Sequence, residues 1–313
     1  MITTVTLNPA IDKTIILDSL KHGEVNRIQK VREDIGGKGI NVSKILSSLG
    51  EANQAIAFLG KKNQAAVEQL LKSQHFQTAF ICVDEATRTN TKVVELETQI
   101  TTDLNEPGFF VDEKQIREMI ALLERCAAES EYVVISGSTP VGVKKDIYGK
   151  MISAIKDKTK IVLDAEGELL IEGLKAGADI IKPNIHELEG AVGRKLESDE
   201  EIIKAAKKWI EEYRLTYILV SMGGDGSLLI GQNIVLKASP IKVEVRGTVG
   251  AGDSMLAGFI YGLMHENPEK ALAIGAACGT LAVSREGTVA FRGEEVLEML
   301  KRVTIETLQK GKE

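Results

Sequence analysis

Residues 247–259, GTVGAGDSMLAGF, set one carboxylate, Asp253, in a stretch with almost no other side chains, directly before an apolar helical run. Glycine lets the backbone approach a ligand closely, and the first N–H groups of a helix have no intrahelical partners. Together with the helix dipole, a turn at Gly250, Ala251 and Gly252 is suited to hold an anion. A carboxylate at that point can cap the helix. It can also act as base for an attacking hydroxyl, while the backbone N–H groups stabilise charge developing on a phosphate. Residues 35–50, IGGKGINVSKILSSLG, repeat the pattern. There Gly36, Gly37 and Gly39 lead into a helix with apolar residues at Ile40, Val42, Ile45, Leu46 and Leu49, and Lys38 and Asn41 project from the turn. A tight turn with a solvated lysine is the plainer reading of that stretch.

These turns need elements to position them. From about residue 130, short β-branched runs alternate with amphipathic segments: YVVIS (132–136), KIVLD (160–164), ADIIKPN (178–184) and YILVS (217–221), with helices near 143–156, 167–175 and 198–213. Such alternation predicts βαβ units and a mainly parallel sheet covered on both faces. GSLLIG and NIVLKA read as a late hairpin, followed by helices near 251–265, 268–285 and 293–302. The first third differs. TTVTLNP, KTIILD, VNRIQKVRED, AFICVD and TNTKVVELE read as strands, some alternating as in a sheet with one wet face. They predict a small β sheet built from insertions at about 13–34 and 79–100 in a single domain spanning 1–313. Ligands of open α/β sheets lie at the carboxyl ends of parallel strands. Those ends carry Ser136-Gly137-Ser138, Asp164, Lys182-Pro183-Asn184 and Ser221-Met222-Gly223-Gly224. Four polar or glycine-rich loops on one edge predict a cleft.

Composition narrows the function classes. With 43% hydrophobic and 27% charged residues the chain reads as a soluble globular protein, and a net charge of −6 excludes a broad nucleic-acid surface. Cys82, Cys126 and Cys278 lie far apart without a CxxC pair, and the start MITTVTLNPAID has no secretory signal pattern. Both point to reduced thiols in the cytoplasm. The longest apolar run, 271–283, is too short for a bilayer and reads as a small-residue helix packed inside the protein, so no membrane partner is expected. The four histidines, at 22, 75, 186 and 265, show no metal-ligand spacing. GxxxxGK[ST], HRD with DFG, GxGxxG after a strand, HExxH and GxSxG are all absent. That removes Walker-type, protein-kinase, dinucleotide, zinc-protease and serine-hydrolase readings.

The two glycine clusters together resemble the signatures of the PfkB/ribokinase family of sugar kinases. The first matches Gly36 through Asn41 with Gly50 and Gly60, and the second matches Thr248 to Ile260. NPAID near the start, SGS at 136–138, KPNIHE at 182–187 and SMGGDG at 221–226 follow in the family's order, so the resemblance covers essentially the whole chain. TLNPAID, GGKGIN, TRTNTKVVE and TVGAGDSM are similar to the phosphosugar branch, the 1-phosphofructokinases and tagatose-6-phosphate kinases. The resemblance implies a ribokinase-like three-layer αβα fold with a β-sheet lid. It implies an ATP- and Mg²⁺-dependent kinase acting on a ketohexose phosphate, with fructose 1-phosphate favoured over tagatose 6-phosphate. A non-catalytic nucleotide- or sugar-binding regulator on the same fold is the third reading. The exposed edge of such a lid could pair across a homodimer.

Residue roles follow from the resemblance. Asp253 is the implied base, with the amides of Gly250, Ala251 and Gly252 around the moving phosphoryl group. Asp12, Gly37, Lys38 and Asn41 line the implied sugar pocket, and Arg88, Ser138 and, on a lid strand, Arg27 meet the sugar's phosphate. Asn184 and Glu187 match the family's Asn-x-x-Glu motif and imply Mg²⁺ contact partly through water, although both residues could simply cap a helix. Ser221, Gly223, Asp225 and Gly226, with Asn184, are the implied nucleotide contacts. Two positions depart from many relatives. Gly247 stands where ribokinase-like members use an acid that helps bind a monovalent cation, and Glu166 replaces a small hydroxyl residue in DAEGE.

Overall fold

In a computed structural model, residues 1–72, 74–285, 287 and 291–311 are described. The chain opens with β1 (Ile2–Thr6), all five residues buried, then crosses to β2 (Ala10–Leu17) and β3 (Lys30–Gly36) and enters α1 (Lys38–Ser48). Next come β4 (Asn53–Gly60), α2 (Gln64–Leu71), β5 (Gln77–Val83), β6 (Arg88–Glu95), β7 (Thr101–Asn105) and α3 (Glu113–Ala127). The regular α/β part runs β8 (Tyr132–Ser136), α4 (Ile147–Ile155), β9 (Lys160–Asp164), α5 (Gly167–Ala176), β10 (Ile180–Ile181), α6 (Ile185–Val192), α7 (Asp199–Tyr213) and β11 (Tyr217–Ser221). It closes with β12 (Ser227–Gly231), β13 (Ile234–Ala238), α8 (Ala251–His265), α9 (Pro268–Val283), α10 (Gly293–Leu300) and β14 (Ile305–Lys310).

One sheet has the order β14-β13-β12-β11-β10-β9-β8-β1-β4-β5, parallel from β11 to β5 and antiparallel beyond it. Its strands are apolar on both faces. In β8, Val133 and Ile135 join the core under α3 to α7, while Tyr132 and Val134 join the core under α1, α8 and α9. This is the three-layer architecture expected of strands buried on both sides. The small-residue run in α9 is explained by its contact with α8: a Cβ on Gly262 would lie 2.4 Å from Ala271 Cα. The two helices therefore pack backbone against backbone. Among the described residues no helix is long and apolar enough to cross a membrane.

The second sheet, β3-β2-β6-β7, stands over one edge of the cleft. Its membership differs from the sequence expectation. The run containing AFICVD, β5, pairs in parallel with β4 from Gln54↔Gln77 to Gly60↔Val83 and so edges the main sheet. Alternation alone could not separate these cases, because an edge strand of the main sheet is also half wet. The lid instead gains β7, and β2 begins at Ala10, earlier than expected. The sequence reading also passed over β4, α3 and β14. β14 is exposed along nearly its whole length and carries no apolar pattern.

Candidate active site

The carboxyl ends of the parallel strands and the inner face of the lid enclose a cleft of about 2190 Å³. At its floor α8 begins. Gly250, in the left-handed region at φ 78°, occupies the N-cap, and no side chain caps the helix. Ala251, Gly252 and Asp253 form the first turn and line the cleft; the Ala251 N–H donates to the Thr248 carbonyl at 3.3 Å, and those of Gly252 and Asp253 have no intrahelical partner. Asp253 is buried and is not spent on capping: its Oδ2 accepts from Asn41 Nδ2 at 2.8 Å. Burial, and next the Asp164 carboxylate, push its pKa up to about 6 against the pull of Asn41, Lys38 and Lys182. A group at that pKa can take a proton near neutral pH.

The opposite helix start supplies Asn41 and Lys38. Gly37 is the N-cap of α1 at φ 119°, a conformation only glycine adopts readily. Gly39 sits where a Cβ would be 2.5 Å from Thr6 Oγ1, and that hydroxyl accepts from the Ile40 N–H at 3.0 Å. The close approach docks α1 on the end of β1. Lys38 Nζ reaches Asp164 Oδ1 at 3.0 Å, and Lys182 Nζ lies 3.4 Å from Oδ2 of the same carboxylate. Asp164 is almost wholly buried at the end of β9. Burial opposes its charge, but Lys182 and Lys38 outweigh burial and hold it below the usual carboxylate range. Burial likewise opposes the charge on Lys38, and Asp164, Asp253 and Glu187 more than restore it. Lys182 also faces the α8 turn: a Cβ on Gly252 would be 3.2 Å from its ammonium. The turn is thus flanked by two cations and roofed by no side chain of its own, a suitable place for a phosphoryl group. Asp164 and Lys182 were visible in the sequence only as polar strand ends; their pairing is a property of the fold.

Asn184 and Glu187 form a full capping box on α6. Asn184 Oδ1 accepts from the Glu187 N–H, and Glu187 Oε2 accepts from the Asn184 N–H, both at 2.8 Å. Both residues line the cleft. Among the described residues no three His, Cys, Asp or Glu side chains gather as a metal site. The cap uses one oxygen of the Glu187 carboxylate, Oε2. That donor set suits a hard cation held mostly by phosphate oxygens and water. Ser221, Gly223 and Gly226 line the far side of the same cleft, whereas Asp225 is exposed and lies outside its lining. Gly226, at φ 91°, packs where a Cβ would be 2.2 Å from the Ala238 carbonyl.

Under the lid, Asp12 lies against Gly36, where a Cβ would sit 1.9 Å from Oδ2. Its Oδ1 accepts from Asn90 Nδ2 at 3.3 Å. Burial raises its pKa, opposed by Asn90, Lys44, Lys92 and Arg88. Arg88 donates to the carbonyls of Glu106 at 2.8 Å and Asn8 at 3.1 Å, and forms no ion pair within 4 Å among the described residues. Asn8 Nδ2 in turn reaches Ser138 Oγ at 3.3 Å. Gly37, Lys38, Asn41, Arg88 and Ser138 therefore share one cleft with Asp12 and Asp253. Arg27 does not: it is exposed, in the segment between β2 and β3, outside the lining. Asn8, Asn90 and Lys44 lie inside stretches that the sequence marked, but no role could be given to them there because their partners are set by the fold. Of the two departures, Glu166 faces the cleft at the start of α5, and Gly247 packs near the Arg285 carbonyl, 3.2 Å from where its Cβ would be.

The chain is 34% identical to the 1-phosphofructokinase of Escherichia coli strain K12 over 307 residues, covering 97% of this chain and 98% of that one. It is 33% identical to the 1-phosphofructokinase of Bacillus subtilis strain 168 over 312 residues, covering 98% and 100%. The structure of phosphofructokinase-2 from Escherichia coli in complex with substrates and products superposes with a TM-score of 0.91 at 27% identity, covering 96% of this chain and 98% of that one. The pfkB family carbohydrate kinase profile matches residues 5–293. The chain belongs to the pfkB family of carbohydrate kinases, phosphotransferases that use ATP and act on a sugar hydroxyl.

Proposed function

We propose that this chain phosphorylates fructose 1-phosphate at its C6 hydroxyl, giving fructose 1,6-bisphosphate and ADP. The observation that carries this reading is the spread of charge along the cleft. A buried acid whose pKa is pushed up to about 6 sits beside an uncapped helix turn, and under the lid of the same cleft Arg88 is joined through Asn8 to Ser138. A sugar with a phosphate at one end and a free hydroxyl at the other fits that arrangement. The 1-phosphofructokinase relatives favour fructose 1-phosphate within the class.

In this reading Asp253 removes the proton of the C6 hydroxyl as the oxygen attacks the γ-phosphorus of ATP, and the bond to the ADP oxygen breaks. The amides of Gly250, Ala251 and Gly252, with Lys38 and Lys182, stabilise the charge on the moving group. Asp12, Gly37 and Asn41 orient the sugar, and Arg88 and Ser138 bind its phosphate. Arg suits that task through its planar fork of donors. Ser221, Gly223 and Gly226 lie along the nucleotide. Glu187, with Asn184 behind it, is the residue pair that would hold Mg²⁺, which when bound neutralises the phosphates of ATP. The lid is also the surface through which we expect two copies to pair. The three free cysteines fit a reducing, cytoplasmic setting.

A coupled ADP-release assay with Mg²⁺-ATP tests the substrate directly, comparing fructose 1-phosphate, tagatose 6-phosphate, fructose 6-phosphate and fructose. The highest kcat/KM is expected with fructose 1-phosphate. A preference for tagatose 6-phosphate would keep the chemistry and replace the substrate. ATP binding without turnover of any of the four would leave a regulator on this fold.

A further inference from the structure

Two carboxylates face each other at the root of the lid. β2 and β3 run antiparallel with Asp12 directly opposite Asp34, and both side chains line the cleft. Like charges directly opposite in a sheet destabilise it. Each acid has a polar partner on the lid: Asn90 for Asp12, and Arg32, whose Nε is 2.8 Å from Oδ2, for Asp34. An amide brings no charge, and of the cations that act on Asp12, Lys44 acts most strongly, ahead of Lys92 and Arg88.

Lys44 lies beneath this pair. It is 3% exposed, and its ammonium donates to the carbonyl of Ile35, the residue between Asp34 and Gly36. That is its one hydrogen bond among the described residues, to a neutral acceptor. A buried cation so poorly satisfied needs charged neighbours. Burial pulls its pKa down, and Asp34, then Asp12, then Asp253 oppose that pull. Lys44 stands one turn beyond Asn41 on α1, the helix that also carries Lys38. Its ammonium thus joins the helix of the catalytic side to the strand that carries the lid.

We propose that Lys44 is a positioning residue for the sugar subsite, the buried counter-charge that lets Asp12 and Asp34 face each other while the Ile35 carbonyl ties the lid to α1. Asp12 then stays where it can accept a sugar hydroxyl, in register with Asn41 and Asp253. This rests on the placement of the sugar under the lid. Lys44 lies outside the cleft lining, so it acts through the acids it faces: through Asp12 and Asp34 on the sugar KM, and through Asp253 on kcat.

The test compares KM for the preferred sugar and for ATP in the native chain, Lys44→Met and Lys44→Arg. Lys44→Met is expected to raise the sugar KM about tenfold, as a misplaced orienting group does, and to leave the ATP KM within about twofold. Lys44→Arg, which keeps the charge and a donor, should restore most of the loss. The same pair is measured in an Asp34→Asn background, where the facing carboxylate is gone. There the Met substitution should fold and its effect should shrink to about two- to threefold, the coupling expected of groups that interact. Equal changes in both KM values, the same sugar penalty whether or not Asp34 is present, or failure to fold in both backgrounds would make Lys44 a packing residue and overturn the proposal. If the native chain turns over a sugar and Lys44→Met leaves the KM ratio unchanged, only this proposal fails. If the native chain turns over none, the substrate reading fails and this proposal with it.

Discussion

Asn41 and Asp253 are 212 residues apart in sequence, yet the Asn41 amide donates to Asp253 at 2.8 Å and both are buried. This bond joins the starts of α1 and α8 into one site. It also tunes the acid, because a hydrogen bond to the carboxylate favours its charged form against the burial that disfavours it.

Replacing Asp253 with Asn should lower kcat by about 10²–10⁴-fold, the usual contribution of a positioned base. In the native chain a base with a pKa near 6 predicts that kcat falls as the pH drops below 6. The same group should cost stability. Its folded pKa lies above its unfolded value, so the folded state binds the proton more tightly, and stability declines as the pH rises from the ordinary carboxylate range through 6. Asp253→Asn should therefore melt higher than the native chain at pH 7, by about 2–5 °C, with the gap closing below about pH 4. Paired melting curves and pH–rate profiles check both signs.

Removing Asn41's donor should move the same limb. In Asn41→Ala the carboxylate loses the hydrogen bond that favours its charge, so the acid limb of kcat should shift upward from 6. A pH–rate profile that keeps its limb in place would mean that another group sets it.

Asp164 neutralises two lysines at once. Asp164→Asn leaves Lys38 and Lys182 facing each other across a nearly buried amide. The expected cost is about 3 kcal/mol, at the low end for breaking a buried pair because Lys38 is partly exposed and can turn outward. Asp164 is held below the ordinary carboxylate range, so its contribution is complete at neutral pH and disappears as the pH falls through its lowered value. Denaturant melts of the two proteins should accordingly converge in strong acid, and the ATP KM of the variant should rise at pH 7.

Arg88→Ala should separate the two substrates. Its guanidinium forms no ion pair within 4 Å among the described residues, and its removal should raise the KM for a phosphosugar by about 10–100-fold, the loss of a charge-assisted pair. The ATP KM and the rate with an unphosphorylated acceptor should stay close to native. Parallel kinetics with fructose 1-phosphate and fructose decide it.

Local sequence carried much of this site because glycine and helix starts are local events. Gly250 at φ 78° and Gly37 at φ 119° are where a left-handed residue begins a helix; Asp253 stood out from its glycine-rich surroundings, and the roles of Lys38 and Asn41 came from the resemblance. The strand ends at Asp164 and Lys182 were legible as positions but not as partners. Their shared ion pair depends on β9 and β10 lying side by side. The box of Asn184 and Glu187 was also foreseeable, since its two bonds close within four residues.

What the chain order could not specify was decided by packing at a distance. The strand at Gln77–Val83 looked like lid and joined the main sheet, because its seven-residue parallel register with β4 outweighs any alternation it shows. Arg27 and Asp225 have suitable chemistry, but the chain carries both away from the cleft. Asn8, Asn90 and Lys44 acquire partners 130, 78 and 9 residues away only when sheet, lid and helix close together. The sequence by itself determined the alternating α/β pattern and the two glycine turns, since those follow from short-range sterics and burial. Tertiary structure decided the pKa of Asp253, the pairing of Asp164 and the facing acids of the lid, because charge interactions depend on separation in space and on lost water, neither of which is written in neighbouring residues.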